Sequence, residues 1–294
     1  MSASKSFSAS EFTEATVAKT TPIQSGTPRR WLSPVTQARL ARLARLATPW
    51  AVPAALLALW QMVSAFHLAP ETLLPSPLTV AQTAVDLVKD GTLTANLAIS
   101  VQRVAIGYAV GASLGLVLGL ALGLLPVLEE LVGPTLDGIQ QVPLYAWMPL
   151  IILALGIGEV SKLAFIAVGA FYPMLLNARQ GVKSVDPKHL EVAAVYGYGR
   201  WATLWRVVLP GAVPLLLAGA RISLGVAWMM VVGAELFGAD SGVGFMITYA
   251  RNLFESDIVL LGVGVVGVIG FVMDWGLQKV EGRLLAWRTV HAED

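Results

Sequence analysis

From Val104 to Leu128 the chain carries no charged side chain at all. A helix rises about 1.5 Å per residue and a bilayer's hydrocarbon core is about 30 Å thick, so about 20 such residues cross it. A stretch this long and this apolar fits a membrane better than a water-soluble core. Five further apolar runs accompany it: Pro49 to Phe66, Gly138 to Gly158, Leu163 to Ala178, Gly211 to Leu236 and Ile258 to Met273. The fifth of the six in chain order is interrupted only by Arg221 and Glu235. The fourth and sixth are short, and flanking Lys162, Arg179 and Lys279 are expected to snorkel outward and lengthen them. Prolines within runs (Pro143, Pro149, Pro173, Pro214) are tolerated where neighbouring helices re-satisfy the freed carbonyls. Composition agrees: 56% of residues are hydrophobic and 13% charged, against about 25% charged in soluble domains. The expectation is an all-α integral membrane protein with six transmembrane helices.

The remaining segments follow from the spans. Residues 1–34, rich in Ser, Thr and Ala without an apolar period, read as a disordered tail. No apolar core follows the start, so they do not read as a signal peptide. Residues 35–47 alternate Arg39, Arg42 and Arg45 with Leu40, Leu43 and Leu46, a basic amphipathic segment suited to the lipid surface ahead of a first span at 48–66. Lys and Arg concentrate in cytoplasmic loops. Here they cluster before the first span, between the fourth and fifth (Arg179, Lys183, Lys188, Arg200, Arg206) and after the sixth (Lys279, Arg283, Arg288). Opposite loops hold only Lys89, Lys162 and Arg251. Both termini, including residues 284–294, and the loop 183–210 are therefore expected in the cytoplasm. Glu129 and Glu130 lie in a loop that should also be cytoplasmic, and acidic residues carry little weight in this rule.

Two glycine patterns carry different meanings. Gly107, Gly111, Gly115, Gly119 and Gly123 recur every fourth residue along one helical ridge, which lets a second helix approach closely. "GVGVVG" (Gly262 to Gly267) matches a dinucleotide-loop pattern but sits inside an apolar run without a preceding strand, so packing is the expected role. His67, His189 and His291 lack metal-ligand spacing, no cysteine is present, and no G-x-x-x-x-G-K-[ST] occurs. Ser241 in "DSGVG" has no histidine placed to activate it and reads as a turn. No catalytic cluster, cofactor, metal or nucleic-acid partner is expected of this chain.

"EVAAVYGYGRWATLWRVVLPGAVP", residues 191–214, interrupts the greasy sequence with polarity. Asp186-Pro187 predicts an N-cap and first helical position. The helix then passes Glu191, Ala193 and Ala194 to Tyr196, and Gly197 and Gly199 break it. A second helix places Trp201, Leu204, Trp205 and Val208 on one face, away from Arg200 and Arg206, until Leu209-Pro210 ends it and launches the fifth span. Two roles suit the segment: a helix presented to a partner's groove, or an interfacial elbow between spans.

The spacing resembles the cytoplasmic E-A-A-x-x-x-G-x9-I-x-L-P signature of ABC-importer permeases. Glu191, Ala193, Gly197, Leu209 and Pro210 match it, with Val192 in place of the first Ala and Val207 in place of Ile. "SVQRVAIGYAVGASLGLVLG", "VPLYAWMPLIILALGIGEVSK" and "RISLGVAWMMVVGAELFGADSGVGF" are similar to the branch that imports aliphatic sulfonates, taurine or nitrate. The likeness runs from about Thr94 to Arg283. It implies a type I ABC importer permease fold with its core at 94–283, in a bacterial inner membrane. It implies a second permease copy, two separate ATPase subunits that bind ATP and Mg, and a periplasmic binding protein. Glu191, Ala193, Ala194, Gly197, Leu209 and Pro210 would couple the permease to the ATPases. Arg221 could balance a passing anion or pair with a carboxylate, and Trp228, Glu235, Tyr145 and Trp147 are further pathway candidates. An ion-gradient-driven secondary transporter or channel is the alternative, although it would leave the signature-like loop unexplained.

Overall fold

A computed structural model describes residues 34–285, and side chains of the N-terminal helix chiefly from Ala51 onward. The proposed tail at 1–34, the side chains of the basic segment at 35–47 and the last residues of the chain lie outside that description. All regular structure among the described residues is helical. Compact packing divides the chain into a short unit ending at Leu56 and a larger one from Leu57. Helix α1 (Pro34–Ala65) runs through the division, and in the short unit the described side chains Ala51 to Leu56 are exposed.

The larger unit is built on two helices that touch almost backbone to backbone. These are α3 (Thr92–Leu124) and α6 (Glu159–Lys183). The glycine ridge is the reason. A Cβ at Gly111 would lie 2.1 Å from the Ala167 carbonyl oxygen, one at Gly115 2.4 Å from that of Phe171, and one at Gly119 2.4 Å from that of Leu175. Helix α9 (Leu209–Leu236) packs on α6, where Gly169 admits Met230 and Gly219 admits Asn177. Val104, Phe165, Ile166, Ala170, Trp228 and Val231 form the core between the three. α2 (Pro77–Lys89), α10 (Val243–Asn252) and α11 (Ser256–Leu284) close a second, smaller core around Leu93, Val243 and Met246. Thr83 donates to Asp257 at 2.6 Å, tying α2 to the start of α11. "GVGVVG" is wholly within α11, where backbone amides are spent on the helix and Gly262 seats Ile247.

The third apolar run departs from expectation. Instead of one span it forms the end of α4 (Pro126–Ile139), a 3₁₀ turn at Leu144–Trp147 and α5 (Met148–Leu155), with α4 and the turn–α5 segment bent 93° from each other. Pro143 and Pro149 flank the 3₁₀ turn: Pro143 precedes it at the end of the break, and Pro149 sits in the first turn of α5, where a missing N–H costs nothing. Among the described residues four helices, at 92–124, 159–183, 200–236 and 256–284, are long and apolar enough to cross a membrane, or five spans if the bent pair counts as one. The apolar stretch Ala51–Ala65 is shorter. The correction concerns the form of the third run: hydropathy counts apolar residues and does not see the bend. The fourth and sixth runs extend at both ends, the fourth because its charged flanks pair inside the protein. Lys162 does not snorkel; its ammonium is buried and bonds Glu159 Oε1 at 2.8 Å. Arg179 pairs with Glu129 and, at 2.9 Å, with Asp137, while Lys183 reaches Glu129 at 2.8 Å. Those contacts also account for an acidic residue at 129 beside a cationic helix end.

Candidate functional site

Helix α7 (Pro187–Val195) begins as its sequence requires: Asp186 Oδ1 accepts the Lys188 N–H at 2.9 Å and Pro187 occupies the first turn. It ends on Gly197, whose φ of +72° only glycine adopts without strain. Gly197 N–H donates to the Ala194 carbonyl and Tyr198 N–H to the Ala193 carbonyl, both at 3.0 Å. This paired closure satisfies two carbonyls that a helix end otherwise leaves bare. Gly199 has a different role from the one expected. Its φ of −69° is ordinary extended backbone, and it caps the start of α8 (Arg200–Thr203) rather than breaking α7.

Leu209-Pro210 does not stop the helix that follows. The chain runs helically from Arg200 to Leu236, passing through a π-helical turn at Leu204–Val208. Pro210 has no N–H to bond and its ring would crowd the preceding turn of a regular helix. Widening that turn by one residue, with the Leu209 N–H on the Leu204 carbonyl, accommodates the ring. The expected single apolar face also divides. Val208 is buried, whereas Trp201 and Trp205 are exposed and meet edge to face with centroids 5.8 Å apart. Arg206 lies over the Tyr198 ring at 5.4 Å. Ala193, Tyr196, Tyr198, Arg206 and Pro210 line an open hollow of about 450 Å³. Of the predicted coupling residues, Ala193 and Pro210 meet there. Glu191 and Ala194 stand on exposed parts of α7, Gly197 closes it, and Leu209 is half-buried at the foot of α9. Glu191 has no hydrogen bond or ion pair among the described residues.

The predicted pathway residues fall into separate places. Arg221 pairs with Asp274 of α11 through Nε at 2.5 Å and Nη2 at 2.8 Å, with Glu281 3.7 Å away. Trp228 is buried, donates to the Val266 carbonyl at 3.0 Å and shares a small hollow of about 150 Å³ with Arg221. Tyr145 and Trp147 stand on the 3₁₀ turn of the bent segment; Tyr145 packs on Gly233, and the Trp147 indole N–H is buried without a hydrogen-bond partner among the described residues. Glu235 is 1% exposed.

Glu235 belongs to a polar cluster that the sequence reading missed. Arg103, 3% exposed, donates from Nη1 to Glu235 Oε1 at 2.8 Å and to the Ser241 carbonyl at 2.7 Å. Its Nε and Nη2 grip Glu159 at 2.8 and 2.6 Å, and Nη2 also reaches Ser241 Oγ at 3.0 Å. Ser100 and the Gly244 N–H add donors to Glu235. All five guanidinium protons are thus placed, and α3, α6, α9 and the loop before α10 are clamped together. Arg103 lay just outside the run that began at Val104. Its spacing of four from Gly107 extends the glycine ridge backward, and that was the available signal.

A model of the family described as binding-protein-dependent transport system inner membrane component matches residues 111–285, a stretch that holds α7, the π-turn and α9 to α11. The chain belongs to this family. The permease is 39% identical over 237 residues to SsuC of Bacillus subtilis, named as an aliphatic sulfonates transport permease, covering 81% of this chain and 86% of that protein. It is 36% identical to the taurine transport system permease TauC of Escherichia coli, covering 80% and 87%. It is 31% identical to the nitrate import permease NrtB of Synechococcus elongatus, covering 79% and 84%. An amino acid ABC transporter solved with histidines aligns at a TM-score of 0.57 and 15% identity, over 68% of the permease and 97% of that chain, a likeness of fold. The permease is a multi-pass subunit of an ABC importer and not itself an enzyme.

Proposed function

We propose that two copies of this permease form the pathway of an ATP-driven importer for a small anion, in the class of aliphatic sulfonates, taurine and nitrate. Two ATPase chains, which bind ATP and Mg, dock on the cytoplasmic side against α7, and a periplasmic protein delivers the substrate. Both termini then lie in the cytoplasm of a bacterial cell. The observation that carries the docking role is the glycine-closed α7 with its open hollow, lined by the exposed Tyr196, together with the exposed Trp201 and Trp205 on the helix that follows. Exposed aromatic groups beside an arginine suit a protein partner better than water. The substrate class rests on the named relatives.

Gly197→Asp tests the coupling role. A Cβ at Gly197 meets nothing within 4 Å, so the change acts through backbone φ and added charge. The strain costs roughly 1 kcal/mol, small beside the packing of the spans. The variant is expected to insert normally, to lose ATPase in co-purification and to lose uptake in cells, with Gly197→Ala milder. Normal uptake with full ATPase recovery would reduce the segment to an elbow. Reconstituted without partners, the permease should neither hydrolyse ATP nor move substrate. Uptake driven by an ion gradient alone would instead favour a secondary transporter.

A further inference from the structure

The permease holds two intramembrane arginines in contrasting ways. Arg103 is sealed and uses every N–H. Arg221 hydrogen-bonds through two of its five N–H groups, while Nη1 has only the 3.7 Å approach to Glu281. Its side chain is 31% exposed and that of Asp274 is 52% exposed. In hydrocarbon an incompletely bonded guanidinium and a half-exposed carboxylate are costly, so groups like these face water or a polar ligand. They border the 150 Å³ hollow with Trp228, Gly225 and Gly270. At about 30 Å³ per water, it has room for a few waters or one small polar molecule. A Cβ at Gly225 would meet nothing within 4 Å, so the space beside the pair is open.

The charges decide what fits. Arg221 contributes one positive charge, and Asp274 and Glu281 one negative each, a sum of −1. Lys279 of the same helix is stacked on the Trp275 ring, 3.5 Å from its centroid. A lone anion displacing Asp274 would leave two carboxylates and itself around one guanidinium, with like charges at close range. A short zwitterion avoids this: its oxyanion takes Arg221 while its ammonium takes Asp274 or Glu281. The ion pair opens and two pairs form in its place, so the net charge around Arg221 is unchanged, whereas a lone anion would make it more negative.

We infer that Arg221, Asp274 and Glu281 form a substrate contact that exchanges an internal ion pair for a short zwitterion bearing an oxyanion and an ammonium group, in preference to a simple anion. This rests on the import of sulfonates, taurine and nitrate proposed above and narrows it toward the taurine-like member of that class. The test is uptake by the complete reconstituted transporter, with taurine, ethanesulfonate and nitrate as probes. Only the permease is changed, so the delivering protein's own preference cancels between variants. Asp274→Asn should lower the taurine-to-ethanesulfonate uptake ratio roughly tenfold, the scale of losing a charged hydrogen bond. An unchanged ratio would overturn the inference and leave the anion reading standing. Uptake of none of the three probes by the unaltered transporter would instead sink that reading. The exchange variant, Arg221→Asp with Asp274→Arg, keeps a pair available for folding and turns its polarity around. It should co-purify with the ATPase yet lose taurine uptake, whereas normal uptake would make the pair a structural bridge only.

Discussion

At the scale of single residues, a buried charge is safe only when its bonds are complete. Arg103 and Glu235 satisfy that condition through Ser100, Ser241, Glu159 and the Gly244 amide. Removing one partner leaves the other buried and unpaired, which costs about 3–5 kcal/mol. Arg103→Ala should therefore lower the melting temperature of the detergent-purified permease markedly. Arg103→Lys should recover little, because an ammonium lacks the planar fork that grips Glu159 and reaches Ser241 and Glu235 together. Wild-type melting in Arg103→Ala would show that the clamp contributes nothing. Glu235 was visible in the sequence as an ionisable residue within a span, but its partners were not. They come from positions 100, 103, 241 and 244, and the pairing exists only after α3 and α9 have packed.

At the scale of elements, period is legible and bending is not. The glycine spacing in α3 announced a close helix neighbour, and α6 fills that place with backbone oxygens where side chains would stand. Gly111→Ala should force the two helices apart and reduce the yield and thermal stability of the folded permease, while Gly264→Ala, whose Cβ would meet nothing within 4 Å, should do neither. Equal behaviour of the two would refute the ridge as a packing device. The start and glycine end of α7 were equally readable, because caps are local chemistry at fixed offsets. The 93° break between α4 and α5 was hidden by an unbroken apolar run. Likewise Leu209-Pro210 looked like a stop, since sequence shows the missing N–H but not the wider turn that accommodates it.

For the whole molecule, topology is the property to test first. Single cysteines can be placed in this cysteine-free chain at Lys188 and at Asp240. Asp240 is the better outer position because its side chain is 92% exposed, whereas neighbouring Ser241 is bonded to Arg103. In intact cells the two should label from opposite faces, and labelling of both by an impermeant reagent from outside would overturn the proposed orientation. The unbroken helix from Arg200 to Leu236 then acquires a mechanical meaning. At about 1.5 Å per residue it is a rod of roughly 55 Å. Its foot carries the two exposed tryptophans, and its head carries Glu235, bolted to the first turn of α10. A stiff rod turns a small rotation at one end into a large sweep at the other, so a tilt of about 5° moves the far end by about 5 Å. The turn at Leu204–Val208 is wound more loosely than the rest, so the lever is regular only above it.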